Sequence, residues 1–434
     1  MKTQAEGNFI GTVAHVHPLL SRVWFQLYCG LIFCVIMPAY VRLGELITPL
    51  SSATANNAAI GAAVAFTVGY YFIQQLGSFP GVRGGSHVLV SVTVPFALVA
   101  IVLLLLRLEY SRVIFATSFV VALIWFLGVQ LALKRWVRPF LSVLPGGHTD
   151  ELYGLPGVYW HKLIGLPNDL NSLEAVVADL RHDHSDEHLR FLTSCSLAGV
   201  PVYHSKQMYE SLTGRVQIEH MSENSIGSLT PSLGYLKVKQ VLDWLLALLA
   251  LPLFLLLCVI VVPMIVVTSG WPAFYVQERV GYRGKRFKVY KFRTMTHLPD
   301  GASRLPPSRQ DAITRERDNR VTALGALLRK CRIDELPQIL NILKGEMSWI
   351  GPRPEAVPLA EWYDGELAFY AYRHVLRPGI SGWAQVNQGH VSSPAQVLDK
   401  LHYDFFYIKY CSPWLDLLIG LRTIKTVLGG FGAK

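Results

Sequence analysis

Charge is what this 434-residue chain has too little of: only 16% of its residues are Asp, Glu, Lys or Arg, against about 25% in soluble globular proteins. Hydrophobic residues make up 51% of it and the mean hydropathy is +0.33. Those proportions exclude a disordered chain, a collagen and a disulfide-stapled miniprotein. Cys-x-x-Cys pairs are also missing. Cys29, Cys34 and Cys258 lie in apolar stretches, while Cys195, Cys331 and Cys411 stand alone. This argues for a reducing location of the soluble parts and against a structural zinc site. The first 22 residues have neither the apolar core nor the small-residue cleavage site of a signal peptide. What survives these exclusions is a membrane protein with soluble parts.

Four uncharged windows, 23–41, 58–76, 88–106 and 113–133, each approach the ~20 apolar residues that a helix needs to cross a bilayer core. Lys2 and Arg22 precede the first, Arg83 sits in the second loop, and Lys134, Arg135 and Arg138 follow the fourth. The first loop, 44–57, has no Lys or Arg, whereas the third carries Arg107 and Arg112. The bias favours cytoplasmic termini for a bundle of four transmembrane helices. A fifth apolar stretch, 244–267, is long enough to cross as well. Lys237 and Lys239 precede it, and Arg279, Arg283, Lys285, Arg286, Lys288, Lys291 and Arg293 follow it with no acid among them until beyond Arg293, apart from Glu278 just before the run. Basic flanks on both sides favour one face, the cytoplasmic one, and Pro252 inside the stretch favours a kink. A re-entrant membrane helix over about 241–268 is expected, with a fifth true span as the other reading.

The net charge of +10 is not spread evenly. Residues 1–236 carry 14 Lys and Arg against 14 Asp and Glu, whereas 237–434 carry 26 against 16. Three regions follow: a membrane α-helical bundle over 1–139, a small α/β domain over 140–236, and a basic, mixed α/β domain over 237–434. In the middle region a strand-like run at 175–178, a helical pattern over 185–197 stopped by Gly199, and a second strand at 200–203 predict a parallel sheet. It is Rossmann-like but degenerate, because no Gly-x-Gly-x-x-Gly follows the first strand and Pro145-Gly146-Gly147 reads as a turn. His182, His184 and His188 read as a solvated loop and helix start in preference to a metal site. The domain is expected to be structural or regulatory.

The residues suited to chemistry lie after Val276. Seven basic residues occupy the fifteen positions 279–293, interleaved with Tyr282, Phe287, Tyr290 and Phe292. Directly after a membrane helix, phosphorylated substrate or anionic lipid suits this pattern better than nucleic acid. Lys291 and Arg293 alternate with aromatics at strand period, so both are predicted on one strand face. In the run RKCRIDELPQ, Pro337 predicts a helix starting around Asp334, with Asp334 at its N-terminus, where free N–H groups stabilise carboxylates and attract phosphate. Glu335 beside it and Arg329 five residues earlier raise its chemical interest, and two hard carboxylates suit Mg²⁺. Gly351-Pro352-Arg353-Pro354 fixes the backbone around one Arg, which presents a planar fork to phosphate at low ordering cost. Arg377-Pro378-Gly379 opens a third cluster of small residues around an Arg. The apolar run 414–428 fits an interfacial helix or one packed on its domain.

KFRTM (291–295), DELPQILNILKGEMSWIGPRP (334–354) and RPGISGWAQVN (377–387) together resemble the motifs of the monotopic bacterial polyprenol-phosphate phosphoglycosyl transferases. The spans and middle domain make the whole chain similar to the large members that initiate exopolysaccharide or O-antigen synthesis. The resemblance implies transfer of a hexose 1-phosphate, of glucose or galactose type, from a UDP-sugar to undecaprenyl phosphate, with release of UMP. By that resemblance Asp334 is the nucleophile that forms a covalent phosphosugar intermediate, and Asp334 and Glu335 hold Mg²⁺. Lys291, Arg293, Arg329, Arg353 and Arg377 bind phosphates, and Asp404 is a carboxylate near the site. Pro252 is the breaker of the re-entrant helix. The large members also imply a homodimer, with the catalytic domain on the cytoplasmic face of the bacterial inner membrane. Asp318 to Thr322 matches a family Asp-Pro-Arg-x-Thr segment with Asn319 in place of Pro. One departure stands out: the family's Val-Asn-Gly-Arg is here Val386-Asn387-Gln388-Gly389-His390, so its nucleotide-side Arg is missing; either His390 or Arg377 substitutes, or the nucleotide side is held differently. A non-catalytic scaffold is opposed by the intact Asp334, Glu335, Arg329 and Arg353. A transporter is opposed by spans without internal charge.

Overall fold

A computed structural model describes residues 22–43, 52–77, 86–136, 139–167, 169–218, 231–296, 320–388 and 394–429. The chain divides into two units, Met1–Thr213 and Gly214–Lys434. The expected boundaries at 139/140 and 236/237 fall inside the first and the second unit respectively. Residues 214–216 already belong to the C-terminal unit: Trp383 Nε1 donates to the Gly214 carbonyl at 2.9 Å and the Val216 N–H to the His402 carbonyl at 3.0 Å. Long-range bonds of this kind leave no mark on local composition, which changes smoothly through the division.

In the first unit, α1 (Val23–Leu31) runs through a π-turn, Ile32–Ile36, into α2 (Met37–Leu43). Pro38 cannot donate to the carbonyl four residues back, which explains a widened turn just before it. Then come α3 (Ala53–Gly77), α4 (Ser86–Leu105) and α5 (Arg112–Trp136). Ala58, Ala62, Ala65 and Phe66 form one buried face of α3. Small residues there let α4 approach, and a Cβ on Gly69 would lie 3.1 Å from the Ser91 carbonyl oxygen. Outward-facing Ile60, Val64, Leu98, Ile101 and Ile124 are exposed, the inverse of a soluble bundle. A parallel sheet of four strands follows, in the order β2-β1-β3-β4, from β1 (Phe140–Val143), β2 (Tyr159–Lys162), β3 (Val176–Ala178) and β4 (Val202–His204). Between β3 and β4 lies α6 (Asp186–Leu197), capped by the Ser185 hydroxyl, and α7 (Ser205–Thr213) follows β4. His184 Nε2 lies 2.9 Å from the Asp179 carbonyl oxygen, and no group of three or more metal-type ligands occurs among the described residues.

The second unit is organised along one long helix, α8 (Leu233–Ser269), which passes unbroken through Pro252 and Pro263. Pro252, the expected breaker, lies inside this helix with helical residues on both sides. Its 37 residues make a rod of about 55 Å. Ala247, Phe254, Val261 and Ile265 recur on one face and are buried against Val289, Phe292, Leu328, Ile339 and Met347. The opposite face exposes Leu249, Leu253, Leu256, Val259, Ile260 and Val267. Behind the buried face, β5 (Phe274–Val280) and β6 (Arg286–Phe292) form an antiparallel hairpin with Phe274 opposite Phe292. Next come α9 (Ala323–Lys330), a 3₁₀ turn over Ile333–Gln338, and α10 (Ile339–Leu343). Strands β7 (Ser348–Ile350) and β8 (Gly379–Ser381) pair in parallel, separated by α11 (Val357–Glu366). The unit closes with α12 (Trp383–Asn387), α13 (Pro394–Lys409) and α14 (Pro413–Gly429). Tyr235, Lys239 and Tyr407 all bond to the Asp416 carboxylate, at 2.5, 2.6 and 2.6 Å, and so tie the start of α8 to α14. Among the described residues, five helices are long and apolar enough to cross a bilayer, α8 among them.

Candidate active site

The motif segments meet because glycine lets backbone touch backbone. A Cβ on Gly379 would stand 2.1 Å from the Gly351 nitrogen, and one on Gly382 2.3 Å from the Gly351 carbonyl oxygen. At that range the Gly351–Pro354 loop and the 377–382 loop bond directly, Gly351 N to Ser381 O at 2.9 Å and Gly379 N to Pro352 O at 3.0 Å. Gly325 does the same for α9, where a Cβ would strike the Thr294 carbonyl oxygen at 2.1 Å. Arg329, on the last turn of α9, then donates Nε to Thr294 Oγ1 at 2.9 Å.

Asp334 and Glu335 sit not at an α-helix N-terminus but inside the 3₁₀ turn, one turn ahead of α10. Arg332, in the left-handed region at φ 57°, bends the chain out of α9 and prevents a continuous α-helical start. With three residues per turn, adjacent side chains diverge by roughly 120°, so the two buried carboxylates face different neighbours. Glu335 is saturated: Lys291 Nζ lies 2.9 Å and Arg353 Nη2 2.6 Å from Oε1, with Arg353 Nη1 at 3.4 Å and Arg332 Nη1 at 3.6 Å from Oε2. Asp334 Oδ1, in contrast, is buried without a hydrogen-bond partner among the described residues.

Electrostatics separates the pair further. Burial pushes the Asp334 carboxyl up to about 6, helped by the charge of Glu335 and opposed by Lys291, Arg353 and Arg329. Burial acts upward on Glu335 as well, but Arg353 and Lys291 outweigh it and hold that carboxyl well below its usual range. Lys291 is brought down to about 8, mainly by burial, against the pull of Glu335. One carboxylate is thus a fixed anion that gathers cations, and the other is an uncommitted oxygen inside their field. Such a division of roles suits attack on phosphorus, where charge must be neutralised around a nucleophile.

The remaining expected residues are placed differently. Arg293 lies just past the end of β6, where strand alternation no longer governs it. Its Nη2 donates to the carbonyls of Ser269 and Gly270 and caps α8. Arg377 stands over the Tyr282 ring at 5.4 Å and faces a cavity beside the first turns of α8. Asp404 is fully buried and accepts from Arg373 Nη2 at 2.7 Å. Asp318, Asn319 and His390 lie outside the described residues, and Gln388 bonds to the Gln396 carbonyl at 3.0 Å.

Two supporting cations carry no motif signal. Arg373 shares its Nη2 between Asp404 and the Arg353 carbonyl, at 2.9 Å, and so holds the backbone beneath the Arg353 fork. Arg279 donates Nη1 to the Pro354 carbonyl at 2.5 Å from the other side. Arg279 could have been singled out within the basic run by its strand position, but Arg373 follows an unremarkable Tyr-Ala-Tyr.

Residues 234–430 match the bacterial sugar transferase family. Over 412 residues, 94% of this chain and 95% of the relative, the sequence is 40% identical to a UDP-N-acetylgalactosamine-undecaprenyl-phosphate N-acetylgalactosaminephosphotransferase of Aeromonas hydrophila. Over 192 residues, 44% of this chain and 69% of the relative, it is 38% identical to a UDP-glucose:undecaprenyl-phosphate glucose-1-phosphate transferase of Caulobacter vibrioides. A relative with the same activity in its name, from Escherichia coli strain K12, is 37% identical over 171 residues, 38% of this chain and 34% of its own length.

Proposed function

The chain belongs to the bacterial sugar transferase family and is a polyprenol-phosphate phosphoglycosyl transferase; from that premise we propose that it works through a covalent phosphosugar on Asp334. The observation that carries this reading is the buried Asp334 Oδ1, unpartnered among the described residues, beside a Glu335 locked by Lys291 and Arg353. Asp334 attacks the sugar-bearing phosphorus of a UDP-sugar, a P–O bond to UMP breaks, and UMP leaves. An oxygen of undecaprenyl phosphate then attacks the same phosphorus, frees Asp334 and carries the sugar phosphate away as a lipid diphosphate. Lys291, Arg353 and Arg329 neutralise the phosphate oxygens in both steps. Two successive displacements at one centre let a soluble donor and a lipid acceptor use the site in turn.

Mg²⁺ fits this donor set in part. Asp334 has an oxygen to offer, whereas both oxygens of Glu335 are already engaged by cations. The ion would be held through Asp334, with donor phosphates and water completing its shell, and would supply further neutralisation of the diphosphate. The expected role of Glu335 as a second ligand requires it to release Arg353 or Lys291.

An N-acetylgalactosamine donor is the first sugar to test, ahead of glucose or galactose, because the similarity that spans both chains end to end is to an enzyme named for it. A re-entrant or surface-lying course of α8 is supported by its anchoring, and the cytoplasmic face of the inner membrane by the basic residues on both its flanks. Trp349 Nε1 reaches the Asp243 carbonyl near one end at 3.1 Å, and Arg293 reaches the Gly270 carbonyl just past the other at 2.7 Å. Both ends are thus held by one unit. UMP release from a panel of UDP-sugars, with and without undecaprenyl phosphate, tests the reading. Asp334→Asn, checked to be folded, should release no UMP and form no phosphosugar adduct; turnover at the parent rate would refute the nucleophile.

A further inference from the structure

We propose that a second phosphate site, for the headgroup of a bilayer phospholipid, lies between the first turns of α8, the end of α10 and Arg377. A cavity of about 320 Å³ opens there, lined by Gln240, Trp244, Lys344, Gly345, Met347 and Arg377 among others. Its position along α8 sets its depth. Lys237, Lys239 and Asp243 are the last charged residues before an uncharged run from Trp244 to Gln277. The cavity therefore sits where the helix passes from polar to apolar surroundings, which is the headgroup level of a bilayer. Trp244, half exposed, is the residue type that favours that level.

The chemistry of the lining points to an anion. Arg377 Nε is buried and has no hydrogen-bond partner among the described residues, and its guanidinium is steadied by the Tyr282 ring. Lys344 adds a second cation at the rim, its Nζ 2.9 Å from the Tyr290 hydroxyl. The one carboxylate in the lining, Asp243, does not cancel them. It accepts from Ser348 Oγ at 2.6 Å and lies 3.9 Å from Lys239 Nζ. An Arg fork with a Lys beside it is a phosphate-type donor set, and the apolar floor of Ile342 and Met347 suits the start of acyl chains. None of Lys291, Arg329, Asp334, Glu335 and Arg353 lines this cavity, and the 3₁₀ turn and α10 run from the catalytic carboxylate to its rim at Ile342 and Leu343. A phosphate here would not be the one that reacts. It would fix the height of the catalytic unit at the membrane. The inference needs α8 to meet the bilayer but does not rest on the transferase mechanism.

The test uses full-length protein, delipidated in detergent, with native mass spectrometry as the readout. Phosphatidylglycerol is the probe, diacylglycerol with the same acyl chains is the control without phosphate, and inorganic phosphate is the competitor. The parent protein should retain one phosphatidylglycerol more than Arg377→Gln or Gln240→Glu at the same lipid concentration. Each variant should need about tenfold more lipid for equal occupancy. Gln240 is exposed on a helix, so its variant carries the test if the Arg377 variant fails to fold. Unchanged retention in the variants, or equal retention of diacylglycerol, would overturn the site. Displacement of the lipid by low-millimolar inorganic phosphate would overturn the lipid as its occupant.

Discussion

The guanidinium of Arg353 grips both oxygens of Glu335, at 2.6 and 3.4 Å, and makes no such bond to the neighbouring Asp334. The asymmetry gives two adjacent carboxyls opposite proton affinities. For the proposed attack Asp334 must be ionised, and its pKa is pushed up to about 6. Activity should fall as pH drops through that value. Lys291 must be protonated to neutralise phosphate, and its pKa is brought down to about 8, so activity should fall again as pH rises through it. UMP release at saturating substrate should trace a bell between these limits. In Glu335→Gln the neighbouring anion is gone and its cations are released, both of which favour ionised Asp334. The acid limb should move down by about one pH unit or more, alongside a fall in kcat. An acid limb that stays in place would show that Asp334 does not set it.

Beneath that pair, Arg373 is a buried cation matched by buried Asp404 at 2.7 Å. Asp404→Ala leaves the guanidinium with Glu355 at 3.9 Å as its remaining acidic partner. A buried charge stripped of its partner costs about 3–5 kcal/mol, so the thermal midpoint in detergent should drop by several degrees. Asp404→Asn keeps an acceptor and should lose less. Because Arg373 also holds the Arg353 carbonyl, both variants should lose UMP release. Parent-like melting of Asp404→Ala would show that the pair carries no stability.

The motifs were legible as phosphate chemistry because Lys291, Arg329, Asp334, Glu335 and Arg353 stand in short runs with Gly and Pro, whose backbone consequences are local. The structure brings Lys291 and Arg353 onto Glu335 from positions 44 and 18 residues away. What could not be read was anything set by distant packing. Strand alternation put Lys291 and Arg293 on one face, but β6 ends at Phe292, and the next residue turns to cap α8. Pro337 suggested a helix start at Asp334, but the left-handed Arg332 and the 3₁₀ turn intervene. Arg373 belongs to the site only through Asp404 and the Arg353 carbonyl, and no periodicity encodes such contacts. The apolar helices, whose length and composition are local quantities, were the easiest elements to find.

Gly379→Ala tests whether loop contact positions Arg353. The added Cβ would meet the Gly351 backbone at 2.1 Å, and backbone cannot step aside as a side-chain tip can. Overpacking of this kind costs about 1–3 kcal/mol, and the strained loop should misplace the Arg353 fork, with a loss of UMP release larger than the loss of folded protein. Gly365, late in α11, has nothing within 4 Å of its Cβ position. Gly365→Ala should keep activity and gain about 0.5–1 kcal/mol from helix propensity. Equal behaviour of the two variants would show that the glycine contacts do not govern the site.

The course of α8 decides where all this chemistry happens. A rod of about 55 Å is long enough to cross a bilayer, yet it is pinned to β7 near its start and to Arg293 just past its end. A crossing would set those two anchors of one folded unit on opposite sides of the membrane. The prediction uses Lys237→Cys and Lys285→Cys, both at exposed positions, in a background with the six natural cysteines replaced by serine. A membrane-impermeant thiol reagent should label neither site in intact cells and both in opened membranes. Labelling of one site alone in intact cells would put the flanks on opposite faces and make α8 a true span.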